Sequence, residues 1–502
     1  MTSSQQIKYG AILSYISIFI NIAIGLLYTP WMIHSIGKEN FGLYTLAMSI
    51  IGIFVFDFGL SSAVTRFVAK YNAEGAHAEV NELLGIIYKL YIGVDIIILL
   101  VLCAIYFLIP TIYQGLSPDE IHKFEIVYAV AASFCVISFP FIPLNGLLSA
   151  YEKFIWLKGC DLVHKLVIVG LMSICLLLGY GLYALVVVNA IAGIITIFLK
   201  LLVIVEKTSL TVNWKFWNRA TLKVVLNFSV WVTIMALAQR CIFNVSPSIL
   251  GIVSDAQSIA ILGIAITIEG YTYTFANAIN GLFLPKISRM LTSDTPDKIL
   301  PLMIKVGRIQ ILVVGFILIA FIILGKEFIY LWVGSDFSVV YVCALLLIIP
   351  SFFHLPQEIA ASAVIVMNKV KIQSYVYIVM AVGNILLAFP LARFYGVIGL
   401  SISIFIAYIW RTIGMNLIYY KYLHIDLLSF FKASFLKMIF PLLGILCIGV
   451  VMNNFFMAIS WMEFFLKGGV FFFCYACIMW GLVLNREEKQ LLLSPVYKIF
   501  GK

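Results

Sequence analysis

Apolar residues run in blocks of about twenty, separated by short polar stretches, almost from one end of the chain to the other. A helix rises about 1.5 Å per residue, so each block matches the roughly 30 Å hydrocarbon core of a bilayer. The pattern predicts membrane-spanning helices over residues 11–33, 41–63, 86–109, 126–149, 162–179, 182–204, 224–250, 258–284, 306–325, 339–366, 372–391, 397–419, 436–452 and 463–484. That makes about fourteen spans. Prolines fall inside Leu-, Ile-, Val- and Phe-rich runs, which suits helices and argues against a transmembrane barrel. The expected fold class is therefore all-α and integral to the membrane.

Composition agrees: 63% of the 502 residues are hydrophobic and 11% are charged, with a mean hydropathy of +1.09. A soluble chain carries about 25% charged residues. The charges also orient the spans. Of the 33 Lys and Arg, 24 fall on one alternating set of loops and flanks, from Lys8 through Arg66, Lys153, Lys207, Lys286 and Lys369 to Arg486. By the positive-inside rule that set is cytoplasmic, and so are both termini. The opposite loops hold few cations, among them Lys38, Lys123, Lys326, Arg393 and Lys467. The net charge of +10 is thus a topology signal, and no basic domain points to a nucleic-acid partner.

Other chemistries find little support. The apolar run after Lys8 has no small-residue cleavage site and is expected to remain as the first span. The nine cysteines lie in or beside apolar runs, so disulfides are not expected, and Cys474 and Cys477 are two small apolar side chains one turn apart. No phosphate-cradling Gly-rich loop is present. The longest loops, 64–85 and 285–305, are about twenty residues, which leaves no room for a catalytic domain. No cofactor, no metal and no enzymatic activity are expected.

The chain repeats itself. Tyr180-Gly181-Leu182-Tyr183-Ala184-Leu185 is echoed by Tyr395-Gly396-Val397-Ile398-Gly399-Leu400, 215 residues later, and Pro143 by Pro356 after 213. Six spans per repeat is an even number, so the halves enter the membrane in the same sense and form a parallel repeat. The expected organisation is a six-helix lobe over 1–205, a cytoplasmic linker over 206–223, a second six-helix lobe over 224–420, and two further helices with a tail over 421–502. This is the plan of a transporter.

Charges inside spans cost about 2.5–3.5 kcal/mol each on insertion scales and need a partner or a purpose. Arg240 and Glu269 fall near the midplane of neighbouring spans, within reach of each other. Asp57, Asp95 and Arg411 lie in the cytoplasmic halves of their spans. Glu358, Asn145, Asn189 and Asn384 either extend this polar set or bridge helices, and His34 and His354 read as structural groups.

The stretch from Ile36-Gly37-Lys38-Glu39-Asn40-Phe41-Gly42 to Ala47, followed by Asp57-Phe58-Gly59-Leu60 and by Arg66-Phe67-Val68-Ala69-Lys70-Tyr71, resembles the amino-terminal signature of the bacterial polysaccharide transporter family. That family includes the O-antigen flippases. The resemblance is sharp over residues 10–80 and extends to the whole chain in span number and loop size. It implies the multidrug/oligosaccharidyl-lipid/polysaccharide exporter superfamily, with two six-helix bundles around a central cavity in the bacterial cytoplasmic membrane. The implied substrate is an undecaprenyl-pyrophosphate-linked oligosaccharide, moved to the exterior leaflet among membrane lipids, with a polysaccharide polymerase and a chain-length regulator as partners. Under that reading Arg240 and Arg411 take the pyrophosphate. Glu269, Asp57 and Asp95 are candidates for ion coupling, and in-span aromatics such as Tyr271, Tyr273, Tyr375 and Tyr377 could stack on sugars. Three rivals stand beside it: a drug/cation antiporter, a peptidoglycan-precursor flippase, and a membrane glycan polymerase or ligase.

Overall fold

The computed structural model describes residues 3–55, 60–208, 210–280, 299–367 and 369–490, and every regular element among them is helical. The expected Asp57 and Lys286 lie outside the described residues. Among the described residues, twelve segments are long and apolar enough to cross a bilayer. One of them, Val370–Leu423, has 54 residues, about 80 Å at 1.5 Å per residue and more than twice a bilayer core. It breaks at Gly396, whose φ of 57° and ψ of −138° are not helical, and so supplies the two spans expected over 372–391 and 397–419. The helix Lys38–Phe54 covers most of the span expected over 41–63. The reading of about fourteen crossings therefore holds.

Helix ends coincide with residues suited to end them. Gly37 and Gly334 take positive φ, which only glycine adopts without steric cost. Ser117 and Ser460 each close a capping box with the glutamate three residues on, Glu120 and Glu463. Asn218 caps Arg219–Val253 by accepting from the backbone of Ala220 and Thr221.

By internal contacts the chain divides into two compact units, Met1–Gly263 with Ala381–Leu400, and Ile264–Met380 with Ser401–Lys502. In the first, Phe154–Leu177 packs on Leu182–Lys207 and on Ser3–Ile36. Fully buried Tyr91, Phe124, Tyr128 and Phe139 fill its centre. A Cβ on Gly42 would stand 1.9 Å from the Ala256 carbonyl oxygen, so two backbones meet there without a side chain between them. The segment 210–218 is not a loose tether. Thr211 and Asn213 donate backbone bonds to Asn81 at 3.0 Å, and Lys89 donates to the Phe216 carbonyl at 3.0 Å. In the second unit, Ile299–Val333 is the central helix, packed by Val340–His354, Lys437–Phe455 and Trp461–Ile478.

Each half contains a helix broken in the same way. A 3-10 turn with proline at its centre, Phe139–Phe141, separates Pro118–Ser138 from Pro143–Ala150; Leu355–Gln357 separates Val340–His354 from Glu358–Val366. Proline cannot donate to the helical ladder, which is why the regular helix yields there. The two turns are 216 residues apart, beside the 215 separating Gly181 from Gly396.

Candidate functional site

A buried polar cluster of the second unit forms around Arg411. On the element before it, Ser351, His354 and Glu358 are spaced three and four apart and share one face through the 3-10 turn. On Val370–Leu423, Tyr408, Arg411, Met415 and Tyr419 follow the same rhythm and are all buried. Tyr377 comes from the preceding arm of that element and Glu269 from Ala256–Asn280.

Arg411 is 4% exposed. Its Nη2 donates to the Tyr377 hydroxyl at 2.6 Å, its guanidinium lies 5.0 Å from that ring's centroid, and Glu358 Oε1 stands 3.7 Å away. The last distance is an ion pair but too long for a hydrogen bond. The Arg411 Nε has no hydrogen-bond partner. Glu269, also buried, accepts from the Ser351 hydroxyl at 3.2 Å. His354 places Nδ1 3.0 Å from the Pro350 carbonyl and its ring 5.4 Å from that of Tyr408. One carboxylate, that of Glu358, thus attends a guanidinium that still has a donor to offer, while Glu269 is held by Ser351. An anion can enter by displacing Glu358, and a proton or small cation can sit on a released carboxylate.

The first unit carries a different cluster. Lys200 donates to Asn145 Oδ1 at 2.9 Å and to Asp161 Oδ1 at 2.8 Å, while Lys158 stands 3.8 Å from Asp161 Oδ2. His164 Nδ1 is 2.9 Å from the Thr196 hydroxyl. Lys200 and Arg411 correspond to within one turn: each lies on the helix after Gly181 or Gly396, and each meets the short helix that follows the proline-centred turn. Sequence reasoning gave Lys200 no role, because its partner Asp161 lies 39 residues away with no local spacing to announce it.

The other sequence candidates fall as follows. Arg240 bonds the Gly52 carbonyl in the first unit. Glu269 belongs to the second unit, so the Arg240–Glu269 pair is not a contact within either. Asp95 is half-buried at the middle of His77–Ile112, with Oδ1 unpartnered. Asn145 and Asn189 bridge helices, the latter donating to the Tyr44 hydroxyl at 2.9 Å. Lys467, expected on a loop flank, is buried and paired to Glu327 at 2.5 Å.

A family model described as polysaccharide biosynthesis protein matches residues 7–291. The chain belongs to the polysaccharide biosynthesis protein family. Solved structures resemble this family member in fold. The lipid II flippase MurJ in an inward closed conformation matches with a TM-score of 0.68 at 14% identity, over 98% of this chain and 99% of that one. An inward-facing MATE multidrug resistance transporter of the MOP superfamily matches at 0.64 and 13%, over 82% and 99%. A MOP superfamily transporter from Pyrococcus furiosus matches at 0.52 and 14%, over 81% and 94%. No curated protein sequence matches the chain. The fold is the one that this flippase and these transporters share.

Proposed function

We propose that this family member flips an undecaprenyl-pyrophosphate-linked oligosaccharide from the cytoplasmic to the exterior leaflet of the bacterial cytoplasmic membrane. The termini and the cation-rich loops are cytoplasmic, and the residues 1–205 and 224–420 are the lobes that alternate. The observation that carries the reading, beside the family, is the Arg411 guanidinium, buried with an unused Nε and loosely held by Glu358. Such a group is expensive in a membrane unless a ligand uses it. Phosphate oxygens match its planar fork, and Tyr377 holds the fork in orientation. Glu358 holds the compensating charge when the phosphate is absent. Glu269, with Asp95 and Asp57, is the candidate for ion coupling, and Arg240 is the candidate second phosphate contact. A polymerase and a chain-length regulator are the proposed partners that receive the glycan.

The test is the leaflet in which lipid-linked glycan accumulates in cells whose only copy of the gene is a variant. Arg411→Lys keeps the charge but loses the fork and should slow export by roughly tenfold. Arg411→Ala with Glu358→Ala removes both partners, so no lone charge is stranded. That double variant should reach normal abundance and leave glycan in the cytoplasmic leaflet. Wild-type export from it would refute the phosphate role of Arg411.

A further inference from the structure

At the end of the second unit that carries few cations, a cavity of about 610 Å³ opens between the helix Ile299–Val333, the turn after it and the connection preceding Trp461. That volume lies within the range of small-molecule sites. Two adjacent residues of opposite charge, Lys326 and Glu327, line it, together with Tyr330, Ser335, Ser338 and Tyr341. Its remaining wall is Met457, Ala458 and Ile459.

Three observations point to one kind of ligand. Lys326 is exposed, with its ammonium 5.4 Å from the Tyr341 ring centroid, and no carboxylate among the described residues closes an ion pair with it. Glu327 is buried, gives Oε1 to Lys467, and leaves Oε2 without a hydrogen-bond partner. Beside the cavity Phe455, Met457 and Ile459 are 86%, 70% and 74% exposed, which suits a lipid interface in a chain of this hydropathy. Lys467 neutralises Glu327, so Lys326 is the charged group of the lining left to attract a ligand, which is therefore anionic.

We propose that this cavity binds the phosphate of an anionic lipid, the phosphate on Lys326 and the serine hydroxyls and the apolar tail along Met457 and Ile459. Two lipids share this chemistry, a phosphatidylglycerol of the surrounding leaflet and a polyprenyl pyrophosphate bearing sugar. The site does not depend on which lipid the protein transports.

The experiment uses the purified, delipidated full chain. Dioleoyl phosphatidylglycerol, the ethanolamine and choline analogues, and undecaprenyl pyrophosphate carrying an oligosaccharide are titrated separately, with bound lipid counted by native mass spectrometry. Phosphatidylglycerol should bind more tightly than the two ammonium lipids. Lys326→Gln, and separately Ser335→Ala with Ser338→Ala, should reduce that affinity about tenfold, whereas Lys326→Arg should keep it. These variants leave the buried Glu327–Lys467 pair intact. Tight binding of the polyprenyl lipid alone, lost in Lys326→Gln, assigns the site to the carrier lipid. Equal binding of all four lipids, or unchanged affinity in Lys326→Gln, overturns the proposal.

Discussion

The carboxyl-terminal segment should be held in place chiefly by one buried ion pair. Arg308 Nε donates to Glu488 Oε1 at 2.5 Å and Nη2 to Oε2 at 3.0 Å, while the same guanidinium bonds the Ala433 and Val483 carbonyls at 3.1 and 2.9 Å. One arginine thus joins three stretches of chain. Glu488→Ala removes the carboxylate and leaves the guanidinium buried without its counter-ion, a change that costs about 3–5 kcal/mol. Unfolding entropy of about 2.1 cal/mol/K per residue, over 502 residues, gives about 1 kcal/mol per degree. The thermal midpoint in detergent should therefore fall by about 3–5 °C. Replacing both partners with methionine should return most of the loss, because no charge is then stranded. The pH dependence follows from Glu488 itself. Burial pushes its carboxyl up, but bonds from Arg308 and from the Asn485 backbone, with the charges of Arg308 and Lys305, outweigh burial and hold it below the usual glutamate value. A depressed carboxylate stabilises the fold above its unfolded pKa of 4.5 and loses that contribution as pH falls through the folded value. The difference between wild type and Glu488→Gln should be full at neutral pH and close below pH 4.5. A Glu488→Ala midpoint within a degree of wild type, or a difference that grows in acid, would refute the reasoning.

Two further outcomes are expected. A Cβ at Gly85 would fall 2.0 Å from the Asn213 carbonyl oxygen, so Gly85→Ala should lift the segment 210–218 from its helix, break the 5.9 Å contact of Tyr88 with Trp214 and open this segment to protease; an unchanged cleavage rate would show that the docking is not tight. Reporter fusions after Lys207 should read cytoplasmic and fusions at Ser117 and Ser335 exterior, since cations crowd the first side and not the second; the reverse at any one of the three breaks the orientation.

The spans were legible because hydrophobic length is a one-dimensional property, and Gly396 and the prolines of the broken helices punctuate the chain where the backbone departs from helix. The site was legible in part. Arg411, Glu269 and Glu358 stand out because a charge in an apolar run has few explanations. Their grouping did not show, since Tyr377 and Arg411 are 34 residues apart and Ser351 and Glu269 are 82 apart. The ion pairs Lys200–Asp161, Arg308–Glu488 and Lys467–Glu327 were hidden for a different reason. Their residues lie near span ends, where a lysine or glutamate reads as a flank charge facing water, and only packing reveals that several are enclosed.

The repeat makes the unequal treatment of its two buried cations informative. Lys200 and Arg411 lie on matching helices about one turn apart in the repeat, and each carries the cost of a charge held away from water. Lys200 meets that cost completely, with two hydrogen bonds under 3.0 Å, one of them to a carboxylate. A charge so satisfied fixes helices and has little affinity left for a ligand. Arg411 has one short bond, to a neutral phenol, and a carboxylate at 3.7 Å. Two copies of one architecture could both have been saturated by a neighbouring aspartate or glutamate, as the first was. On the proposed function, the second keeps its guanidinium open while a carboxylate stands near enough to return when a ligand leaves, as a site that binds and releases an anion requires and a permanent strut does not.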